Sequence, residues 1–391
     1  MSELYSLEDH LAKTSLHEEF GVSTIGIHGD DELALTTDVA PPIHVSTTYR
    51  YNSDPSKLQT AREVSTAYDR QDHIYSRISH RSVLRAEKIL GEILDGHAVL
   101  FSSGLSAFHA MLLHYNPKNV FIGDGYHGCH SLLKIYQRNF GTKVHHNLDT
   151  DPELLQKGDI IHLESPVNPT GLAFDIEHYA KIAHSRGAFL VLDATFAPPP
   201  LQDPWSLGVD MVMHSGTKYF GGHSDLLSGI LVSKDEKVAS ALMSDRDFTG
   251  ASPGSLESWL LLRSLRTYHY RIRLQYESAN KIVKYLADNI SKLPKLEKIY
   301  HSSLQTEDFV KKQLPLGGPP VFSIELKDRE TARYFPSKLK LFHHATSLGG
   351  AESLIEWRCM TDMSVSESLL RVSIGLEDTN DLIGDLVRAL Q

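Results

Sequence analysis

The chain has 391 residues, 41% of them hydrophobic and 23% charged, with a net charge of −10. That length calls for roughly two cores, and the ordinary composition marks a globular protein. The acidic balance, without a basic tract, argues against nucleic acid, and no apolar run approaches the roughly 18 residues that a bilayer span needs. Two cysteines, Cys129 and Cys359, exclude a disulfide framework and a four-cysteine zinc site. Residues 1–15, MSELYSLEDHLAKTS, are acidic and mixed, unlike a secretory signal or an Arg-rich transit peptide, so a cytoplasmic enzyme is expected.

Residues 1–60 read as irregular. Within them APPIHVSTTYRY (40–51) pairs two prolines with β-rich residues and reads as an extended arm, either lying on its own surface or reaching a neighbouring subunit. Tyr75, Arg77, His80, Arg81 and Arg85 cluster before a helix that starts near Ser82. Arginine suits bidentate phosphate recognition, although such a cluster taken alone is a solvated face.

From 97 to 235 the pattern alternates. HAVLFSS, NVFIGD, KVHHNLD, DIIHLESP, AFLVLDATF, DMVMHSG and GILVSKD are short apolar runs, with helical spacing in several gaps between them. Apolar strands alternating with amphipathic helices predict a mostly parallel sheet covered on both faces, with ligands at the carboxyl ends of its strands. Suspicious residues fall at those ends. FSSGLSA (101–107) turns from strand to helix, so the Gly104 and Leu105 amides would face an anion. Tyr126 follows the next strand and would lie on an aromatic ligand; alone, it is a packed ring. Asn168 sits between prolines in ESPVNPTG (164–171). Asp193 ends a buried strand, where it needs a cation such as a protonated pyridine nitrogen, or else serves as a cap or a core pair.

The stretch 209–229, VDMVMHSGTKYFGGHSDLLSG, carries the sharpest signal. Lys218 directly follows a buried strand, whereas lysine belongs on solvated surface. Apolar walls would lower its pKa, and a neutral amine can form a Schiff base. Ser215 and Thr217 offer hydroxyls to a phosphate. The stretch reads as an anchor for pyridoxal 5′-phosphate. Residues 236–290 read as helical and bridge two domains. After the break PLGGPP (315–320), VFSIEL opens a smaller α/β layer that contains Arg371 in mid-strand. A buried arginine needs an anion, either a substrate α-carboxylate or a structural partner.

Together HSGTKYFGGHSD, ESPVNPTG, LDATF, SLGGAESL and LLRVSIGLED resemble the Cys/Met-metabolism (trans-sulfuration) family of pyridoxal-phosphate enzymes, of the cystathionine γ-synthase and γ-lyase type, over about residues 23–390. The resemblance implies a fold-type-I, aminotransferase-like α/β architecture. It implies an N-terminal arm at 1–60, a large cofactor domain at 61–250, and a bridging helix with a small C-terminal domain at 251–391. Lys218 is implied as the Schiff-base lysine and general base. Ser215, Thr217, Gly104 and Leu105 hold the phosphate, joined by Tyr75 and Arg77 from a neighbouring subunit. Tyr126 stacks on the ring, and a phenol depressed toward neutral pH would assist proton transfer. Asp193 meets the ring nitrogen, while Asn168 approaches the ring hydroxyl. Asn168, Ser347 and Arg371 receive the substrate carboxylate. A homo-oligomer, a dimer of dimers with shared sites, is implied, acting on a small amino acid.

The chain also departs from that family. His80, Arg81 and Ser82 replace Asn-Pro-Thr, Ala194 replaces the asparagine of Asp-Asn-Thr, and Ser131 stands where γ-enzymes carry arginine. Thr346 replaces a glutamate, Asp362 replaces the histidine of Met-Thr-His, and the segment from there to Arg371 is shortened. The expectation is carbon–sulfur chemistry at Cγ. Cβ elimination by a cystathionine or cysteine β-lyase is the alternative, and a non-catalytic paralogue is a third.

Overall fold

The computed structural model describes residues 20–34, 36–60, 62–63, 73–147, 149 and 152–391. The acidic start of the chain and residues 67–72 of the segment before the arginine cluster lie outside them. The helices are α1 (Val22–His28), α2 (Arg81–Ile93), α3 (Gly104–Tyr115), α4 (His127–Phe140), α5 (Ile176–Ser185), α6 (Glu236–Thr249), α7 (Ser255–Leu265), α8 (Tyr268–Asp288), α9 (Asp308–Gln313), α10 (Arg329–Tyr334) and α11 (Thr379–Leu390). The strands are β1 (His97–Phe101), β2 (Asn119–Ile122), β3 (Lys143–His145), β4 (Ile160–Glu164), β5 (Phe189–Asp193), β6 (Met211–Ser215), β7 (Gly229–Ser233), β8 (Leu296–Tyr300), β9 (Val321–Leu326), β10 (His343–His344), β11 (Leu354–Trp357) and β12 (Leu369–Ser373).

All seven apolar runs between 97 and 235 form strands, in the order β1-β7-β6-β5-β4-β2-β3. The ladders joining β3, β2, β4, β5 and β6 are parallel, and β7 alone runs against its neighbours β1 and β6. The expected mostly parallel α/β sheet is therefore present. β4 is buried at every position, as the run IIHLE requires of a strand covered on both faces. Because six strands point the same way, their carboxyl ends share one edge. Ser102, Glu164, Asp193 and Ser215 arrive there from four of them.

The edge depends on a close approach. A Cβ on Gly229 would lie 2.1 Å from the Ser103 carbonyl oxygen, so only glycine lets β7 pass beneath the β1–α3 turn.

Helix α8 joins the two cores. Tyr268 and Ile272 pack into the first, and Ala279, Ile282, Val283 and Leu286 into the second. Each fully buried aliphatic side chain of this kind contributes about 1.5–3 kcal/mol relative to exposure. The bridge expected over 236–290 is three helices, of which α8 alone spans both cores.

The second sheet has the order β10-β11-β12-β9-β8 and begins earlier than expected, at Leu296 rather than after PLGGPP. LEKIY hides this strand because only Leu296 and Ile299 of it are buried and two exposed charges stand between them. α1 also falls within the stretch read as irregular. VSTIGIH has weak helix propensity, and burial of Ile25 and Gly26 supports it instead. The arm at 40–51 is extended, with Val45 and Tyr51 exposed, while the Trp259 indole N–H donates to the Pro41 carbonyl at 2.7 Å.

Among the described residues no helix is long and apolar enough to cross a membrane.

Candidate active site

At the carboxyl edge of the first sheet the predicted residues converge. The Ser103 hydroxyl accepts from the Ser106 amide at 3.1 Å and caps α3. The first-turn amides of Gly104 and Leu105 have no acceptor within the helix. A Cβ on Gly104 would meet Ser215 at 3.4 Å, so the turn and the end of β6 are neighbours. The Thr217 hydroxyl pairs with Ser228, accepting from its amide at 3.0 Å. Hydroxyls and first-turn amides thus gather beside Lys218 into a cradle whose chemistry suits an anion.

Asp193 is buried one strand away. Its Oδ1 accepts from the Thr195 hydroxyl at 2.6 Å and the Thr195 amide at 3.0 Å. Thr195 Oγ1 in turn accepts from the Ser215 amide at 2.8 Å, tying the acid to the cradle. Ala194, the substituted position, is fully buried in the core and leaves this clamp intact. Burial raises the Asp193 pKa, opposed by the Thr195 bonds and the nearby Lys218 charge. No hydrogen bond engages Oδ2 among the described residues, so a cation there would recover the cost of the buried charge.

Lys218 donates from Nζ to Ser347 Oγ at 2.8 Å. Burial first, then the Arg371 charge, lowers its pKa to about 8. Close to neutral pH a useful fraction of the amine is therefore unprotonated. Ser347 adopts φ 75, an unusual value for a residue with a side chain, and its carbonyl accepts from Arg371 at 2.9 Å. Ser347 accordingly connects the lysine to the arginine.

Arg371 comes from the second sheet. It stands in register between Ser323 of β9 and Glu356 of β11, so the three side chains share one face. That face meets the loop after β4. Arg371 donates to Asn168 Oδ1 at 2.9 Å, and the Ser323 hydroxyl donates to the Pro169 carbonyl at 2.7 Å. Arg371 also has the structural partner that the sequence left open, Glu356 Oε2 at 2.6 Å.

Sequence reasoning missed Glu164. Its Oε1 accepts from the Asn168 amide at 2.7 Å and its Oε2 from the Tyr126 amide at 2.8 Å, so one carboxylate places both residues. Gly125 permits this: with φ +155, a Cβ there would fall 2.5 Å from Glu164 Oε2. Glu164 and Asp193 are register partners; burial raises the pKa of both, and the Asp193 charge raises that of Glu164 further. The available signal was an acid ending an otherwise apolar strand, the same signal that singled out Asp193.

Tyr126 stands half-exposed at the start of α4, with its phenol held above the ordinary value by burial. The depressed phenol considered for proton transfer is not what this environment produces. Tyr75 and Arg77 do not join the cluster of their own chain. Arg77 donates to the Asp247 carbonyl, the Ser252 hydroxyl donates to the Arg77 carbonyl at 2.6 Å, and Tyr75 is exposed. His80, at one departure from the family pattern, caps α2 by accepting from the Val83 amide at 3.3 Å and contacts the Pro253 carbonyl at 3.2 Å, a structural use of the change. A cavity of about 930 Å³ lined by Ser102, Thr217, Thr346 and Ser347 opens beside the site.

An activated lysine, an acid awaiting a cation and an anion cradle on one sheet edge define an enzyme built around a charged aromatic cofactor. The chain matches the model of the Cys/Met metabolism PLP-dependent enzyme family over residues 23–391, and it belongs to that family. It is 34% identical to the cystathionine gamma-synthase of Escherichia coli (strain K12), covering 92% of this chain and 94% of that protein. It is 30% identical to the cystathionine beta-lyase of Lactococcus lactis subsp. cremoris (strain MG1363), covering 95% and 99%. Among solved structures, apo CalE6, a methionine gamma lyase from Micromonospora echinospora, superposes with a TM-score of 0.84 at 30% identity, covering 96% of this chain and 100% of that one. The chain is thus a pyridoxal-phosphate-dependent trans-sulfuration enzyme.

The residues fit this cofactor on their own chemistry. Asp193 Oδ2 suits a protonated ring nitrogen, the amide and hydroxyl cradle suits a phosphate, and the Lys218 amine suits an aldehyde.

Proposed function

We propose that this enzyme makes or breaks a carbon–sulfur bond at Cγ of a sulfur amino acid. The observation that carries the reading is the chain Lys218–Ser347–Arg371, in which hydrogen bonds of 2.8 and 2.9 Å link a base to a carboxylate receptor. Lys218 would hold the cofactor covalently and Asp193 its ring nitrogen. Gly104, Leu105, Ser215 and Thr217 would hold its phosphate, Tyr126 its ring face and Asn168 its ring hydroxyl. Arg371, Asn168 and Ser347 would bind the substrate α-carboxylate. Arg77, which donates to the Asp247 carbonyl, and the exposed Tyr75 would serve the phosphate of a second copy's site, which would make the working unit a homo-oligomer with shared sites.

Pyridoxal phosphate, when bound, supplies the electron sink that accepts the charge left as a proton leaves Cα. Arg371 orients the substrate by its carboxylate. Lys218, displaced by the substrate amine, takes the α-proton as general base. Departure of a γ-substituent requires a second proton, from Cβ; the same Lys218 Nζ would take it once it has passed the α-proton on to the bound cofactor and is a neutral amine again. Ser347 Oγ steadies the amine between those transfers, and Asp193 keeps a positive charge opposite it.

The likeness to the E. coli cystathionine gamma-synthase supports Cγ chemistry. Cβ elimination is the second reading, favoured by Thr346, which lies exposed in the cavity wall where γ-enzymes carry glutamate. Incubation of loaded enzyme with cystathionine separates the two. Cysteine, 2-oxobutyrate and ammonia are expected, or cystathionine formation from an O-acylhomoserine plus cysteine if the enzyme runs as a synthase. Pyruvate, ammonia and homocysteine would overturn Cγ in favour of Cβ.

A further inference from the structure

Four buried charges alternate along one line at the carboxylate end of the site. Glu356 Oε2 accepts from Arg371 at 2.6 Å and from Arg358 at 3.0 Å, and Arg358 reaches Asp362 Oδ2 at 3.3 Å. All four side chains are at most 8% exposed. The other ends of the two acids are fixed: the Thr361 hydroxyl donates to Glu356 Oε1 at 2.7 Å, and Ser364 donates to Asp362 Oδ1 at 2.6 Å through its hydroxyl and at 3.0 Å through its amide. Arg358 Nε is buried without a hydrogen-bond partner among the described residues. The Arg358 charge also reaches the pocket, where it counters the rise of the Tyr126 phenol.

The arrangement poses an electrostatic problem. Arg371 is read above as the receptor of the substrate carboxylate, yet a protein carboxylate already lies against it. Paired with Arg371 alone, Glu356 would neutralise the receptor and repel the incoming anion. A second guanidinium on the same oxygen divides the attraction of Glu356 between two cations and leaves part of the Arg371 charge uncompensated. Asp362, at the position where the family pattern has histidine, holds that second guanidinium in place.

We propose that Arg358 is a positioning residue for substrate recognition, which by sharing Glu356 keeps Arg371 available to the α-carboxylate of an amino acid. The inference rests on the carboxylate role of Arg371.

The test uses the loaded enzyme and reads the change in cofactor absorbance on titration with L-alanine, which has no leaving group, and with ethylamine, its counterpart without a carboxylate. Arg358→Met is expected to weaken L-alanine about 10- to 100-fold and to move ethylamine less than about twofold. In an Glu356→Gln background the same change is expected to cost less than about threefold, because the charge it acts through is gone. Arg358→Lys retains one cation and should fall between, which keeps the test available if the methionine variant does not fold. Unchanged L-alanine binding, equal weakening of both ligands, or the same loss with and without Glu356 would each overturn the proposal. Arg371→Leu separates the two levels. If it keeps the preference for L-alanine over ethylamine, the carboxylate reading of Arg371 falls and the inference with it. If it loses that preference while Arg358→Met does not, the inference alone falls.

Discussion

The two ends of the site are built differently. At the proposed cofactor end this chain's own groups come from a single sheet: backbone amides, short hydroxyls and one clamped acid, Asp193, at strand ends within one edge. At the carboxylate end the second sheet supplies a line of long charged side chains, Arg371, Glu356 and Arg358, joined to the first sheet through Asn168. Hydroxyls and amides need no counter-charge, so the first end holds its shape whatever occupies it. Buried guanidiniums and carboxylates hold one another, so a change to any one alters the charge felt by the rest. Cofactor binding should therefore be robust and substrate choice adjustable.

Substitutions at the cofactor end sharpen the contrast. Asp193→Asn keeps the shape and removes the charge that a ring cation needs. Turnover should fall by about 10²–10³-fold, while the protein still binds the cofactor. Thr195→Val leaves the acid charged and held by the backbone amide of residue 195 alone, and a loss of about 10-fold is expected from the missing charge-assisted hydroxyl bond. Steady-state kinetics on both variants check the order. Equal losses would mean that Thr195 does more than hold Asp193.

A smaller effect concerns pH. Lys218 is lowered to about 8 by burial and by Arg371, so its amine deprotonates well below the range of an ordinary lysine. The neutral amine attacks the aldehyde, so the rate at which cofactor-free protein takes up pyridoxal phosphate should rise as pH increases toward 8 and level off above it. The rise of the absorbance band measures this. A rate still climbing at pH 10 would mean that the lysine is unshifted and that Arg371 does not act on it.

Much of the first sheet was legible because each strand is an unbroken apolar run and each functional residue is the polar group that ends it, as Lys218 and Asp193 are. Glu164 carries the same signal at the end of IIHLE, but its two partners, the Tyr126 and Asn168 amides, are backbone groups that leave no mark in the sequence. β8 was not legible, since LEKIY mixes charge with apolar residues on a strand exposed along part of its length. α1 was hidden by VSTIGIH, whose helix is held by tertiary packing rather than by propensity. At the carboxylate end Arg371 was visible as a charge in mid-strand, but its partners were not. Glu356 meets it through the register of β11 on β12, and Arg358 meets Glu356 after a turn. Neither contact leaves a pattern in the sequence, where Asp362 showed only as a departure without a partner.

In the proposed mechanism one base, Lys218, serves both Cα and Cβ of a substrate held by Arg371. Proton exchange tests it most directly. Loaded enzyme is incubated in D₂O with L-norvaline, which has no leaving group, and the α- and β-proton resonances are followed by NMR. Loss of both signals is predicted, with neither lost in Lys218→Ala. Loss of the α-proton alone would contradict Cγ chemistry, and exchange that survives Lys218→Ala would contradict the role of the lysine.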